Sequence, residues 1–360
     1  MHGDSSGWFE RRAGCAHKQH INEPMYGERA HALTCHRARQ RETSSGIGAM
    51  KAAGIRAFGS AVEVLNLPRP TAPGNDQVLI EVLATGAGNW DDFARRGVWN
   101  IGVLPPMALG VEAAGVVTAV GPLVSRFAVG DEVLVHSAPV SFQGSWAQQF
   151  LAPASDVASK PSAMDWHTAG SFPVPALTAA EVVRSASVRR GEKLLVNGAS
   201  GVTGGLIVAA ASVVGVSVVA VCSLTAVSRA RNYGAVTAFD SHDPKWREDA
   251  RHIAPGGFRA VINASRGQAA TLLSLVEEGG TLATITGDPP KSERSINVLD
   301  FYLAPDGLAL EQAASEFATR GLELPIAATG GLEDAGRFLS VAVGGQAKGA
   351  QVLLPNGPVA

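Results

Sequence analysis

The sequence is short of cysteine, of charge and of long apolar runs, and each shortage removes a class of protein. Three cysteines occur in 360 residues. Cys15 and Cys35 lie in segment 1–49, and Cys222 stands alone in the rest. No disulfide framework can be built from that set, which points to a reducing cytoplasm. Charged residues make up 17% of the chain and nearly cancel, with a net charge of -2. That leaves no electrostatic footprint for nucleic acid or for an acidic membrane surface. The apolar stretch 202–214 is too short to span a bilayer. Segment 1–49 lacks the apolar stretch of a signal peptide. Its His2, His17, His20, His31 and His36, with the two cysteines, fit no zinc-finger spacing. It reads as a disordered extension ahead of a domain that starts near Met50, itself a candidate natural start.

The 360-residue chain as a whole is 46% hydrophobic and carries 41 glycines, enough for two domains of ordinary size. From Met50 to about Pro161 short β-type runs alternate with Gly and Pro. Gln77-Val-Leu-Ile-Glu-Val-Leu83, Gly115-Val-Val-Thr-Ala-Val-Gly121 and Glu132-Val-Leu-Val-His136 are examples. They predict a twisted, barrel-like β domain. From about 170 the pattern changes. Helices are expected at 178–188, 202–214, 225–233 and 268–277, alternating with strands at 193–197, 217–222, 236–240, 259–263 and 281–286. Alternation of this kind predicts an α/β fold, a doubly wound parallel sheet with helices on both faces. The tail returns to mixed structure, with helices at 308–320 and 332–342 and a last strand at Gln351-Val-Leu-Leu354. Internal repeats and low-complexity tracts are lacking.

The most specific signal is Leu194-Leu-Val-Asn-Gly-Ala-Ser-Gly-Val-Thr-Gly-Gly205, an apolar run entering a glycine-rich turn that a small-residue helix leaves. A helix N-terminus presents unpaired N–H groups and the positive end of its dipole, the arrangement that holds a dinucleotide pyrophosphate. Gly198, Ser200, Gly201, Val202, Thr203 and Gly204 are the candidate contacts. The second strand of the unit ends in Val221-Cys222-Ser223-Leu224-Thr225, without the acidic residue that binds both ribose hydroxyls of NAD. Ser223 and Thr225 can donate to a 2′-phosphate, and Arg229 or Arg231 can supply charge, unless those arginines face solvent. NADP(H) is therefore the expected cofactor. Asn263 and Thr286 end the fourth and fifth strands and are either cofactor contacts or satisfied turn residues.

Several linked motifs carry a family resemblance over roughly 50–355. They are Leu109-Gly-Val-Glu-Ala-Ala-Gly-Val-Val-Thr-Ala-Val-Gly121, the turn Phe127-Ala-Val-Gly-Asp-Glu-Val133, Gly144-Ser-Trp-Ala-Gln148, Lys160-Pro161, Pro175-Ala-Leu-Thr178 and Lys348-Gly349. The chain resembles the medium-chain dehydrogenase/reductase superfamily, most closely its zinc-independent quinone oxidoreductase-like branch. Departures are Gln148 for the family's Glu, Ala350 for a Lys, Thr225 for an Arg and Ser241 for a Tyr. The resemblance implies a discontinuous GroES-like catalytic domain, 50–170 and 303–360, around a Rossmann cofactor domain, 171–302. The nicotinamide would lie between them. It also implies a homodimer.

Zinc enzymes of that superfamily need a first-loop Cys and a Gly-His-Glu motif, because the metal polarises the substrate oxygen through soft or imidazole ligands. Here the motif reads Gly110-Val111-Glu112, and the first loop, Gly86-Ala-Gly-Asn-Trp-Asp-Asp92, has no Cys. No metal is expected. The implied chemistry is hydride transfer to a small electrophilic acceptor, a quinone or an α,β-unsaturated carbonyl, polarised by hydrogen-bond donors. By the resemblance Thr178 and Lys348 approach the cofactor, though Thr178 also reads as a helix N-cap and Lys348 as a surface lysine. Asn89 and Tyr302 are the catalytic candidates, and Tyr302 reads equally as an aromatic in a dimer contact. Asp92 reads as a residue that fixes its loop. His136 reads as a cleft residue or a hydrogen-bonded core histidine. Trp90, Phe142 and Trp146 read as pocket walls or core. Two other functions stay open, an enoyl-thioester reductase and a non-catalytic NADPH-binding sensor.

Overall fold

The computed structural model describes residues 48–301, 303–345 and 347–359. Segment 1–47 and Tyr302 lie outside the described residues.

Eight strands precede residue 160: β1 (Ala49–Ile55), β2 (Glu63–Pro68), β3 (Gln77–Gly86), β4 (Met107–Ala108), β5 (Glu112–Val120), β6 (Glu132–His136), β7 (Gln149–Pro153) and β8 (Val157–Ser159). Helix α1 (Trp90–Arg95) interrupts them, and α2 (Trp166–Ser171) and α3 (Pro173–Ser185) follow. Then come β9 (Lys193–Asn197), α4 (Val202–Val214), β10 (Ser217–Cys222), α5 (Val227–Asn232), β11 (Thr237–Asp240), α6 (Trp246–Ile253), β12 (Phe258–Asn263), α7 (Ala269–Leu272), β13 (Val276–Thr284) and β14 (Asn297–Asp300). The chain closes with α8 (Gly307–Thr319), β15 (Ile326–Gly330), α9 (Ala335–Val343) and β16 (Ala350–Leu353).

Strands β9 to β14 form one parallel sheet in the order β11-β10-β9-β12-β13-β14. The chain leaves β9 to one side and returns to its other side at β12, so the crevice at their C-terminal ends is a topological switch point. The central strands β9, β10 and β12 are near-continuous apolar runs because helices cover both faces. Leu194, Val196, Val218, Ala220 and Cys222 enter the core on one face, and Leu195, Val219 and Val221 enter the core on the other. Helix α4 begins after Gly201 and stops at Gly215, whose φ of 80° is the left-handed conformation that ends a helix.

The second large sheet runs β15-β16-β3-β5-β6-β8, with β7 also on β3, and a three-stranded sheet β2-β1-β4 stands beside it. The edge of β3 is shared. Strand β7 pairs with Gln77–Glu81 and β16 pairs with Thr85 and Gly86. Among the described residues no helix is long and apolar enough to cross a membrane.

Local structure departs from expectation at identifiable points. Helix α3 starts at Pro173, not 178, because its two prolines fall in the first turn, where the missing N–H groups have no intrahelical partner anyway. Thr178 is thus a mid-helix residue and not an N-cap. The helix expected at 268–277 is one turn of α7 followed by a 3-10 turn, and β13 begins at Val276. The Gly279-Gly280 pair reads as a turn in sequence but lies within that strand, with Gly279 at φ 69°. Helix α6 and strand β14 were not foreseen.

Candidate active site

A cavity of about 530 Å³ opens between the two large sheets at the switch point. Its walls come from the loop after β3, the start of β5, the end of β6, helix α3, the turn into α4, the loop after β13, and the segment before β16.

On the cofactor side Gly201, Val202, Thr203 and Gly204 line the cavity, with Thr178 and Thr286. The glycines differ in what they do. Gly198 holds φ 86°, and a Cβ there would press on the Ala264 carbonyl. A Cβ at Gly204 would overlap the Gly198 carbonyl, so this glycine lets α4 pack on the turn. A Cβ at Gly201 would meet only the Gly198 carbonyl, at 3.6 Å. The fold does not fill that space, which lies at the N-terminus of α4.

Ser200, Ser223, Thr225 and Arg229 do not line the cavity but gather beside the turn. The Ser223 amide donates to Ser200 Oγ at 2.6 Å, Ser223 and Thr225 hydroxyls are 3.1 Å apart, and Arg229 donates to the Ser200 carbonyl. The sheet adds a residue that reading along the chain missed. Asp240 stands opposite Cys222 in the β10–β11 register. Its carboxylate accepts from the amide and ring of His242, which hold it below the usual carboxylate range. Burial pushes the Cys222 thiol up. Asn263 is fully buried at the C-terminal end of β12. It accepts from Asn197 and donates to Thr284 and Thr286, which places Thr286 on the wall. Lys348 is exposed, between Ala347 and Gly349, which line the cavity.

On the other side Asn89 lines the cavity, at the head of α1 and without a capping hydrogen bond. Trp90, Phe93, Val98, Trp99, Phe301 and Leu303 give the apolar surface. Trp146 is fully buried and donates to the Gly86 carbonyl at 2.9 Å, holding the loop from behind. Phe142 is not among the cavity residues. Asp92 pairs with Arg95 and Arg96 and so fixes its helix.

Three buried ionisable groups underlie this wall, and sequence reasoning gave two of them no role. Asp91 is fully buried and accepts from the Gly88 amide at 2.9 Å, while its Oδ1 has no partner. Burial pushes its carboxyl up to about 8, against the amides of Gly88 and Gly110. Glu112 lines the cavity at 1% exposure, and burial, with Asp91 adding, holds its carboxyl well above the usual range despite the Val174 amide it accepts. His136 lines the cavity too. Burial pushes it down to about 4, opposed by the Val111 carbonyl at 3.1 Å, so its ring is neutral. The available signal was an acid inside an apolar β run, Val111-Glu112-Ala113-Ala114, since an unpaired buried carboxyl is rare. Among the described residues no three His, Cys, Asp or Glu stand together to hold a metal ion.

Residues 74–162 match the alcohol dehydrogenase GroES-like domain. A quinone oxidoreductase of Sus scrofa is 36% identical over 159 residues, which is 43% of this chain and 47% of that protein. The matched stretch thus spans about half the length of the curated quinone oxidoreductases. Among solved structures, an alcohol dehydrogenase superfamily protein of Novosphingobium aromaticivorans superposes with a TM-score of 0.73 at 27% identity. That superposition covers 85% of this chain and 99% of the other. A mycobacterial protein complexed with NADPH superposes with a TM-score of 0.72 at 26% identity, covering 85% and 100%.

Proposed function

Because the chain belongs to the medium-chain dehydrogenase/reductase superfamily, on its quinone oxidoreductase-like branch, we propose that it is a zinc-independent, NADPH-dependent reductase of quinones or α,β-unsaturated carbonyls. The observation that carries this reading is that the glycine turn, Thr178, Asn89 and an apolar wall share one cavity. In this reading 50–170 with 303–360 form the catalytic domain and 171–302 the cofactor domain. A homodimer and a reducing cytoplasm belong to it as well.

The residues present fit a dinucleotide. The space at Gly201 suits a pyrophosphate against the N-terminus of α4, whose first N–H groups lack intrahelical partners. Ser223, Thr225 and Arg229 suit a 2′-phosphate, and an NADPH complex of a similar structure supports the same cofactor. Asp240 stands close enough in the sheet to temper the preference for the phosphate. When bound, the reduced nicotinamide supplies a hydride. Thr178 and Thr286 border its place, Asn89 offers an amide to the acceptor oxygen, and Trp90 with Trp99 gives a flat conjugated acceptor a dry surface. Zinc independence rests on Val111 in place of the ligand histidine and on the missing first-loop Cys.

The test is to titrate NADPH and NADH and then follow NADPH oxidation with 1,2-quinones, 1,4-quinones and small enones in the presence of a chelator. Tighter NADPH binding and chelator-insensitive turnover are expected. Binding with no turnover on this panel would shift the reading to a sensor or to a bulkier acceptor outside it, and no binding would overturn the reading of 198–204.

A further inference from the structure

Glu112 and His136 are direct partners in the antiparallel register of β5 and β6. Opposed residues on such a pair put their side chains on one face, and here both line the cavity floor. They are 1% and 2% exposed. Hydride delivery leaves the acceptor one proton short of product, and among the described residues given a role at the acceptor above none is an acid. Asn89 and Thr178 hold no proton that they release near neutral pH.

The carboxyl of Glu112 is built into place. Oε2 accepts the Val174 amide at 2.7 Å. The carboxyl lies over Gly86, where a Cβ would overlap Oε1. The backbone carbonyl of Glu112 accepts both Thr85 and Ser145 hydroxyls at 2.6 Å. Among the described residues no cation pairs with this carboxyl. The titratable groups facing it are Asp91 from α1 and His136 from β6, and Asp300 stands elsewhere on the cavity wall. A buried acid beside a second buried acid keeps its proton, and a carboxylic acid kept neutral at pH 7 can give that proton to a developing anion.

Resting on the function proposed above, we infer that Glu112 is the proton donor of the reduction, its carboxyl held in place by the Val174 amide beside a second buried acid, Asp91. The balance is complete. An enone accepts hydride at its β-carbon, the C=C π pair moves toward the carbonyl, and the resulting enolate takes the Glu112 proton as the carboxyl O–H bond breaks. A quinone accepts one hydride and the same proton to become a hydroquinone. The electrons come from the reduced nicotinamide, which leaves oxidised. A proton from solvent restores Glu112.

The experiment is Glu112→Gln in the full chain. The amide oxygen of Gln still accepts the Val174 N–H, so the structural bond survives while the acid is lost. NADPH affinity is expected to stay within about threefold, and kcat with an enone to fall about 100-fold or more, the usual contribution of a general acid. The loss should shrink for quinones whose hydroquinone anions are weak bases. Carboxyl-13C NMR of the cofactor-free protein, assigned by the same variant, should show Glu112 protonated at pH 7. Unchanged kcat in Glu112→Gln, or an ionised Glu112 signal at pH 7, would overturn the proton donor alone. A wild-type protein that binds no NADPH would overturn the functional reading and this inference with it.

Discussion

At Gly201 the backbone φ of -72° is open to any residue, and an added methyl would have room against the protein. The space there is expected to matter only when a phosphate enters. Gly201→Ala should therefore leave the urea midpoint nearly unchanged, within about 0.5 kcal/mol, while the NADPH dissociation constant rises about 10- to 100-fold. Urea unfolding and a fluorescence titration of NADPH on the same sample separate the two. Gly204→Ala is the control, since the Gly198 carbonyl leaves no room for its methyl. Arg229 sits with Ser200, Ser223 and Thr225, where only the 2′-phosphate distinguishes the two cofactors. Arg229→Ala should weaken NADPH about 10-fold, the scale of one charge-assisted hydrogen bond, and weaken NADH less than twofold. Equal losses for both cofactors would assign Arg229 to the turn and not to the phosphate.

Elements were legible where a pattern repeats. The apolar runs of β9, β10 and β12, the glycine turn and the α4 helix all follow from residue type and spacing, and they fix the switch point. Helix α6 does mark a face, with Trp246, Ala250 and Ile253 at i, i+4 and i+7 against one core, but its eight residues are too short a run for that period to stand out in sequence. Strand β13 was clipped because its glycine pair mimics a turn. The partners that fill the site were hidden for a different reason. Glu112 and His136 are 24 positions apart in number and meet only through strand register, and Asp240 reaches the end of β10 the same way. Capping shows how local signals do hold. Asp165 accepts the Thr168 amide at 2.9 Å and its hydroxyl at 2.6 Å, at the N-terminus of α2. Asp165→Ala should cost about 1 kcal/mol and lower Tm by about 2–4 °C, with turnover retained. A larger thermal loss would show that α2 carries more of the packing between the sheets than its cap.

For the molecule as a whole, the buried acids set how stability follows pH. Asp91 binds its proton more tightly folded, with its carboxyl pushed up to about 8 from 3.8, and Glu112 is shifted the same way. Their contribution is complete at low pH and is lost as pH rises through the folded values. His136 is shifted down to about 4 from 6.5, so its effect opposes theirs below about 6.5 and ends there. Between about pH 6.5 and 8 the acids act without that opposition, and wild-type stability should fall with rising pH. Asp91→Asn removes one proton from that difference, which should flatten the slope by about 1.4 kcal/mol per pH unit. Urea unfolding at half-unit steps reads this directly, and an unaltered slope would mean that Asp91 is ionised in the folded state.

The divided edge of β3 carries a consequence for how the protein is made. Its first half is completed by β7, but Thr85 and Gly86 wait for Leu353 and Val352. The Ala87 amide, one step before the Asn89 loop, waits for the Gln351 carbonyl. During synthesis residues up to Leu353 must therefore leave the ribosome before that wall of the cavity can set. The parallel sheet from β9 to β14 has all its strands in hand well before then. A nascent chain stalled before β16 should already protect the parallel sheet from protease, yet leave the end of β3 as an open edge that recruits neighbouring chains.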